Sequence, residues 1–335
     1  MVRPRTRCST MSNVTDHIEA MASELASRTI VQIVFETGFH VLILLIALIG
    51  NLCVLYIFYK FPRLRKVTSY YVTTLAVSDV ANAVLVMPVA VVISAVGYNV
   101  QNLISCTVIG TIGYTLVLVS LQTTTLIAIN RFFCVIKPSI YRKHFKPKPA
   151  KIMIIGLWCF SLGLVLVIVA SGMGNFYFHP GRFVCILAFC DRTFERVITS
   201  LMILVFVVFP IVIAVICYAR IIKVVEHHKA TARKRVHQES SLSKDEVEIT
   251  RSLLAVVLGF IFCWIPCSVV FQLEVYMDLP REVEMIFIYS NFLSSAINPI
   301  LFNVYNKPFR KLFYKIFFCK NNTVVVELAP NKPTK

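Results

Sequence analysis

Seven long apolar blocks, separated by polar segments, dominate the chain. They cover roughly residues 34–59, 68–95, 103–135, 150–171, 196–219, 252–275 and 284–305. Each is about 20 residues or longer, the length that a helix needs to cross ~30 Å of hydrocarbon. Strands of a membrane β-barrel would be shorter and would alternate strictly between apolar and polar positions. The pattern therefore predicts an all-α membrane protein, a bundle of seven transmembrane helices over residues 34–305.

A further, amphipathic helix is predicted over residues 306–319. Its apolar positions lie on one helical face with basic residues opposite, and they are Phe309, Leu312, Phe313, Ile316 and Phe317. A helix of this kind lies in the membrane interface. Cys319 at its end is a candidate palmitoylation site, and a free thiol fits the sequence equally well. Residues 1–33 and 320–335 are polar and are predicted to form the two terminal tails.

The basic residues set the orientation of the bundle. The chain is 57% hydrophobic and 15% charged, whereas a soluble domain is about a quarter charged. Its net charge of +17 is uneven, because most Lys and Arg follow the first, third, fifth and seventh blocks. The positive-inside rule places these segments in the cytoplasm and the N-terminus outside. We expect the basic face to meet anionic lipid and a cytosolic partner, and no nucleic acid.

This orientation has consequences for processing. Asn13 begins the sequon Asn13-Val14-Thr15 and becomes a candidate glycosylation site, whereas the sequon at Asn321 would face the cytosol. Residues 1–33 lack the apolar segment of a signal peptide, so the first block is expected to act as its own insertion signal. The expected location is the plasma membrane.

Asp79 is the most unusual residue, because it lies in the middle of the second block. Charged side chains at that depth are costly and rare unless they serve a function. Polar residues in other blocks could face it, and we interpret the group as a sodium site. Na⁺ would be bound by Asp79 and Ser120 and, through water, by Ser294 and Asn298. The alternative is a protonated Asp79 that only forms hydrogen bonds between helices.

Short motifs occur in order, one to each block. They are Gly50-Asn51, Leu75-Ala76-Val77-Ser78-Asp79, Asn130-Arg131-Phe132, Trp158, Pro210 with Tyr218, Phe262-Cys263-Trp264-Ile265-Pro266, and Asn298-Pro299-Ile300-Leu301-Phe302. Together they resemble the rhodopsin-like (class A) G-protein-coupled receptors over about residues 34–319. The resemblance implies an extracellular ligand, a heterotrimeric G protein and arrestin as partners. Asn130-Arg131 and the loop around Pro180 also resemble melatonin-type receptors more weakly.

The resemblance implies roles for residues at the cytoplasmic end. Arg131 would pair with Glu246 in the resting state, as a latch, and would engage the G protein when released. A snorkelling arginine is the alternative. The family usually has an acid where Asn130 stands, so Arg131 has one resting partner fewer and we expect raised basal activity. The family usually has a Tyr where Phe302 stands, so a hydroxyl that would help to hold the active state is lost. Tyr218 retains the other hydroxyl of that pair.

The resemblance also implies a disulfide and a ligand pocket. Cys106 would bond to Cys185 and hold the second extracellular loop over the pocket as a lid, while Cys190 is unassigned. The expected wall is almost wholly apolar and comprises Gly113, Tyr114, Val117, Met202, Phe206, Trp264, Ser268, Phe271, Ile288 and Phe292.

Two positions exclude two classes of ligand. Amine receptors have an Asp where Gly113 stands, and visual pigments have a Lys where Phe292 stands, so neither ligand class fits. A neutral or weakly polar small molecule suits the depth of the pocket. A basic peptide suits its rim, where Glu274, Asp278, Glu282 and Glu284 lie, although solvated acids are the more common explanation.

Two rival functions follow from other interpretations. A retinal-independent relative of the opsins is one. An ion-coupled transporter is the other, and it could use Asp79 but would not explain Arg131 or the helix after the seventh block. The sequence contains no constellation typical of an enzyme, and it calls for no cofactor beyond an allosteric Na⁺.

Overall fold

A computed structural model describes residues 12–64, 66–189, 191–234 and 244–318. Its helices are α1 Ser12–Ala26, α2 Ile30–Lys60, α3 Val67–Leu85, α4 Met87–Val96, α5 Leu103–Ile136, α6 Pro138–His144, α7 Pro147–Ala170, α8 Arg192–Ile203, α9 Phe209–Lys234, α10 Lys244–Glu274, α11 Arg281–Tyr305 and α12 Lys307–Phe318. Seven spans are long and apolar enough to cross a membrane, which confirms the predicted bundle. Spans one to seven are α2, α3 with α4, α5, α7, α8 with α9, α10 and α11.

Local sequence explains where several helices begin and bend. Thr29 and Gln32 form a capping box at the start of span one, which satisfies backbone N–H groups that the first turn leaves free. Span two is broken between α3 and α4, because Pro88 lacks the N–H that a continuous helix needs. Span five contains a π-helical turn at Leu204–Val208, just before Pro210.

Spans one and seven approach closely at the Gly50-Asn51 motif. A Cβ atom on Gly50 would lie 2.5 Å from a side-chain carbon of Pro299, so only glycine fits there. The neighbouring Asn51 donates from Nδ2 to the Ser295 carbonyl oxygen at 3.0 Å. The motif therefore joins the two spans through a close contact and a hydrogen bond.

An antiparallel hairpin connects spans four and five. Its strands, β1 Gly174–His179 and β2 Val184–Phe189, pair from Gly174 with Phe189 to His179 with Val184. A disulfide joins Cys185 of β2 to Cys106 at the start of span three, which confirms the predicted bond. The hairpin adds two strands to a bundle that was predicted to be wholly helical.

The segment predicted as a polar N-terminal tail contains α1. Its apolar residues Met21 and Leu25 are buried. The His17 ring nitrogen Nε2 lies 3.0 Å from the carbonyl oxygen of Leu279, in the connection between spans six and seven. This part of the segment is therefore folded against the mouth of the bundle.

Three of the predicted sites fall outside what the structure describes. They are the side chains of Asn13 and Glu246, and the residue Cys319, and the predicted tail 320–335 and the unassigned Cys190 lie outside it as well. The roles predicted for them stay predictions.

Candidate ligand cavity and coupling sites

A cavity of about 140 Å³ lies in the outer half of the bundle. All ten residues predicted for the pocket wall line it, from Gly113 on span three to Phe292 on span seven. The wall is mostly apolar, and its polar groups come from a small set: Asn82, Tyr114, Thr199, Ser268 and Asn291. A mostly apolar cavity with few polar groups is typical of ligand sites.

Strand β2 forms the roof of this cavity. Four consecutive residues, 184–187, line it together with Phe189. The backbone N–H of Leu187 donates to the Tyr114 hydroxyl at 3.3 Å, which ties the roof to span three beside the disulfide. The loop therefore covers the cavity, as predicted for its lid, but no residue of the loop was predicted as part of the cavity wall.

Arg182, in the turn of the hairpin, is fully buried between two carboxylates. Its Nε donates to Glu284 Oε2 at 2.7 Å, and its Nη2 donates to Glu274 Oε2 at 2.6 Å. Burial would lower the pKa of Arg182, but the charges of Glu274 and Glu284 outweigh it and raise the pKa. The solvated interpretation of these two acids is wrong, whereas Asp278 and Glu282 are exposed.

A second buried ionic cluster lies where α1 meets spans one and seven. Glu36 accepts from Arg28 Nη1 at 2.6 Å and from Arg281 Nη2 at 2.6 Å. Arg28 also donates to the Ser94 carbonyl oxygen of span two at 2.7 Å. The sequence analysis missed this cluster. The signal was available, because Glu36 is an acid within the first apolar block, as Asp79 is within the second.

The side chains around Asp79 differ in part from the predicted sodium group. Asn298 donates from Nδ2 to Asp79 Oδ2 at 2.9 Å, and the Ser295 hydroxyl also hydrogen-bonds to the carboxylate. Ser294 instead donates to the carbonyl oxygen of Asn291 in its own helix at 2.6 Å. The hydroxyl oxygen of Ser120 lies 3.1 Å from that of Ser78, and Ser78 precedes Asp79 in the sequence. The structure thus brings Asp79 together with Asn298 and Ser295.

Arg131 is buried in the C-terminal part of span three, with 1% of its surface exposed. Its Nη2 donates to the Thr68 hydroxyl of span two. That hydroxyl donates in turn to Asn130 Oδ1 at 2.7 Å. Thr68 therefore links the two residues of the Asn130-Arg131 motif. Sequence reasoning missed Thr68, which lies outside the motifs.

Tyr218 lies near this group but is not bonded to it. It is buried, and within the described ranges its hydroxyl has no hydrogen-bond partner. An unpaired hydroxyl at this depth is free to take a partner when the helices move.

The sequence matches a known family of membrane receptors. The family model for the 7 transmembrane receptor (rhodopsin family) matches residues 50–302. The chain belongs to this family. Its members are signalling receptors, and this membership removes the ion-coupled transporter as a rival.

Several curated proteins are similar over most of the chain. Neuropeptide FF receptor 2 of Rattus norvegicus is 25% identical over 84% of this chain and 72% of its own length. The RYamide receptor of Drosophila melanogaster is 27% identical over 83% of this chain and 62% of its own length. G-protein coupled receptor moody of Drosophila pseudoobscura pseudoobscura is 25% identical over 83% of this chain, which spans about half of moody's length.

Proposed function

We propose that this protein is a plasma-membrane receptor, with its N-terminus outside, that passes a signal from an extracellular ligand to a heterotrimeric G protein. We propose further that the ligand is a peptide with an apolar end and a basic group. The observation that carries this proposal is an apolar cavity below a mouth lined by acids. A neutral or weakly polar small molecule is the second candidate, because it would fill the same cavity.

The cavity favours an apolar group with at most a few polar atoms. Most of its wall comes from aliphatic and aromatic side chains, and the polar groups are few. Trp264 lines it and packs against Phe260 with ring centroids 5.8 Å apart. A ligand that presses on Trp264 would therefore repack span six, which is the route we propose toward the cytoplasmic end.

The mouth favours a cationic group. A smaller pocket of about 40 Å³ there is lined by Glu195, Glu274, Asp278 and Glu284, together with Arg192 and two histidines. Carboxylates lining a cleft raise the local concentration of cations and steer them in. The names of two relatives, neuropeptide FF receptor 2 and RYamide receptor, describe peptide receptors and support this choice.

Arg182 offers the ligand a further polar contact. Its guanidinium lies 4.1 Å from the ring centroid of Phe287 and 5.6 Å from that of Phe271, and both rings line the cavity. Its Nη1 is buried and has no acceptor among the described residues. A buried donor without an acceptor is costly, so a ligand carbonyl oxygen that reaches Nη1 would gain affinity.

On the cytoplasmic side, we propose that Arg131 and Tyr218 form the G-protein contact once Arg131 leaves its resting partners, of which Glu246 would be one. Arrestin would use the same opening. Membrane lipid would contact α12, because Phe309 packs inward beside Phe302 while the basic Lys311 is exposed. Asp79 with Asn298 is the proposed site of an allosteric Na⁺.

The test is a G-protein dissociation assay in cells, run with a library of basic peptides and a library of lipophilic small molecules. Val117→Phe places a larger side chain in the cavity, and Ile155→Phe makes a matched change on the lipid-facing surface of span four. We expect a basic peptide to activate the wild type and Ile155→Phe, and to lose potency on Val117→Phe. Activation by small molecules alone would contradict the peptide proposal, and equal potency on both variants would contradict the cavity.

A further inference from the structure

We propose that the mouth of the receptor holds a Zn²⁺ site formed by His179, Glu274 and Glu284. His179 ends β1, Glu274 ends α10, and Glu284 lies in the first turn of α11. One potential ligand atom from each lies within 4.8 Å of the other two. Zn²⁺ binding to this site can be measured without agonist or G protein, so it can be tested separately from the proposed receptor function.

The distances suit a tetrahedral ion after a small adjustment. Zn²⁺ binds nitrogen and carboxylate oxygen at about 2.0–2.2 Å, so its tetrahedral ligands lie about 3.3–3.6 Å apart. His179 Nε2 and Glu274 Oε1 are 3.5 Å apart. A carboxylate oxygen of Glu284 lies within 4.8 Å of both partners, so a side-chain movement of at most about 1.5 Å would complete three ligands.

His179 is the observation that points to a metal rather than to a simple cluster of acids. Its ring is 1% exposed, and its Nδ1 has no partner within the described part of the chain. Its Nε2 is aimed at Glu274. Neutral imidazole is the commonest protein ligand for metals, and Nε2 is the nitrogen that faces the carboxylate.

Arg182 leaves room for the ion. It binds Oε2 of Glu274 and Oε2 of Glu284, so the second oxygen of each carboxylate, Oε1, is available to a metal. Groups that hydrogen-bond to metal-binding carboxylates fix their orientation and are a regular part of metal sites. In this arrangement Arg182 is a positioning residue.

Charge and access also favour a cation. The two carboxylates and Arg182 sum to −1, and Asp278 adds negative charge along the same pocket, where Glu195 is paired with Arg192. That pocket is lined by all three proposed ligands, so it gives an ion a route in. Ca²⁺ takes six to eight oxygen ligands, and two carboxylates supply too few. Mg²⁺ prefers oxygen ligands to imidazole.

Occupation of the site would connect the hairpin to spans six and seven. Because the hairpin forms the roof of the cavity, bound Zn²⁺ would favour the closed mouth and alter ligand affinity. Thermodynamic linkage then requires a bound ligand to alter Zn²⁺ affinity by the same factor.

The experiment uses the purified full chain without a polyhistidine tag, in lipid nanodiscs and without agonist or G protein. Zn²⁺ binding is measured by competition with a fluorescent chelator for wild type, His179→Gln, Glu284→Gln and the control His144→Gln, an exposed histidine of α6. We expect one Zn²⁺ per receptor in wild type and the control, and affinity weaker by at least about tenfold in the two site variants. Equal affinity in all four proteins would overturn the proposal.

X-ray absorption at the zinc edge identifies the zinc ligands in the wild-type protein alone. It therefore tests the proposal even if a variant does not fold. The wild type should show one imidazole nitrogen and oxygen ligands near 2.0 Å, with no sulfur. Sulfur in the shell would place the ion at a cysteine and overturn the site. Mg²⁺ at a large excess should leave Zn²⁺ binding unchanged, and competition by Mg²⁺ would also count against it. Since no signalling step enters these measurements, their failure is distinct from failure of the receptor proposal.

Discussion

Asn298 of span seven donates a 2.9 Å hydrogen bond to the carboxylate of Asp79 on span two. The two residues are 219 positions apart in the chain, and both are nearly inaccessible to solvent. The bond places an acid and an amide side by side at the point where we propose an allosteric Na⁺. The presence of Na⁺ at this point is therefore open to a direct test.

Asp79→Asn keeps the shape of the side chain and removes its charge. We expect Na⁺ to lower agonist affinity in the wild type by about fivefold or more, a usual size for allosteric coupling, and to have no effect on Asp79→Asn. The measurement is agonist titration in sodium and in a large inert cation at equal ionic strength. Identical wild-type curves would eliminate the sodium site and leave the protonated, hydrogen-bonded Asp79.

Arg182→Met should destabilise the receptor strongly. The substitution leaves Glu274 and Glu284 close together without their cation, and loss of one partner from a buried ion pair costs about 3–5 kcal/mol. The matched control is Arg192→Met, because Arg192 is 41% exposed and pairs with Glu195 at 3.3 Å. An exposed pair contributes about 0–1 kcal/mol, so thermal unfolding in detergent should separate the two variants clearly. Similar unfolding temperatures for the two variants would show that the ion pairs of Arg182 do not stabilise the fold more than an exposed pair does.

Thr68→Val should raise ligand-free signalling. Valine keeps the side-chain shape and removes the hydroxyl that accepts from Arg131 and donates to Asn130. A net loss of about 0.5–1.5 kcal/mol corresponds to roughly a 2- to 10-fold shift between two states. The control is Thr107→Val, whose hydroxyl bonds only to its own helix near the extracellular end of span three. Basal signalling that is unchanged, at matched surface expression, would show that Thr68 does not restrain Arg131.

Glu246→Ala should also raise ligand-free signalling if this acid holds Arg131 in the resting state. The comparison is with Glu226→Ala, which removes an exposed acid at the cytoplasmic end of span five. A resting state favoured by only a few kcal/mol is shifted by the loss of one such pair. Equal basal activity in the two variants would remove Glu246 from the latch.

Asn13 should carry an N-glycan, and Asn321 should carry none. The basic segments place the first residue outside and the second in the cytosol. Glycosidase treatment followed by a mobility shift, in wild type and in Asn13→Gln, measures the first expectation. A glycan on Asn321 would reverse the orientation of all seven spans.

The spans could be predicted from the sequence because membrane helices need long apolar runs. The long apolar runs in this sequence all correspond to the predicted spans. The disulfide and the cavity wall followed from the resemblance to a family. The ion pairs at the mouth could not be found this way. Arg182 lies 102 residues from Glu284, and Arg281 lies 245 from Glu36, and no periodicity marks partners so far apart.

Short deviations from helix geometry were missed for a related reason. The break in span two and the π-helical turn in span five leave the apolar pattern intact, so hydropathy does not detect them. Pro88 was a signal for the first. Ser295, rather than Ser294, faces Asp79 because of the rotation of span seven, which one sequence does not specify.

The roof formed by β2 has a kinetic consequence. It is bonded to span three through the disulfide and the Tyr114 contact, and Arg182 fastens the turn of the hairpin to spans six and seven. A ligand that enters past the hairpin has to disturb these contacts, and the same contacts have to be disturbed again when it leaves. Association should be slower than the 10⁵–10⁷ M⁻¹s⁻¹ of unobstructed docking, and a bound agonist should have a long residence time.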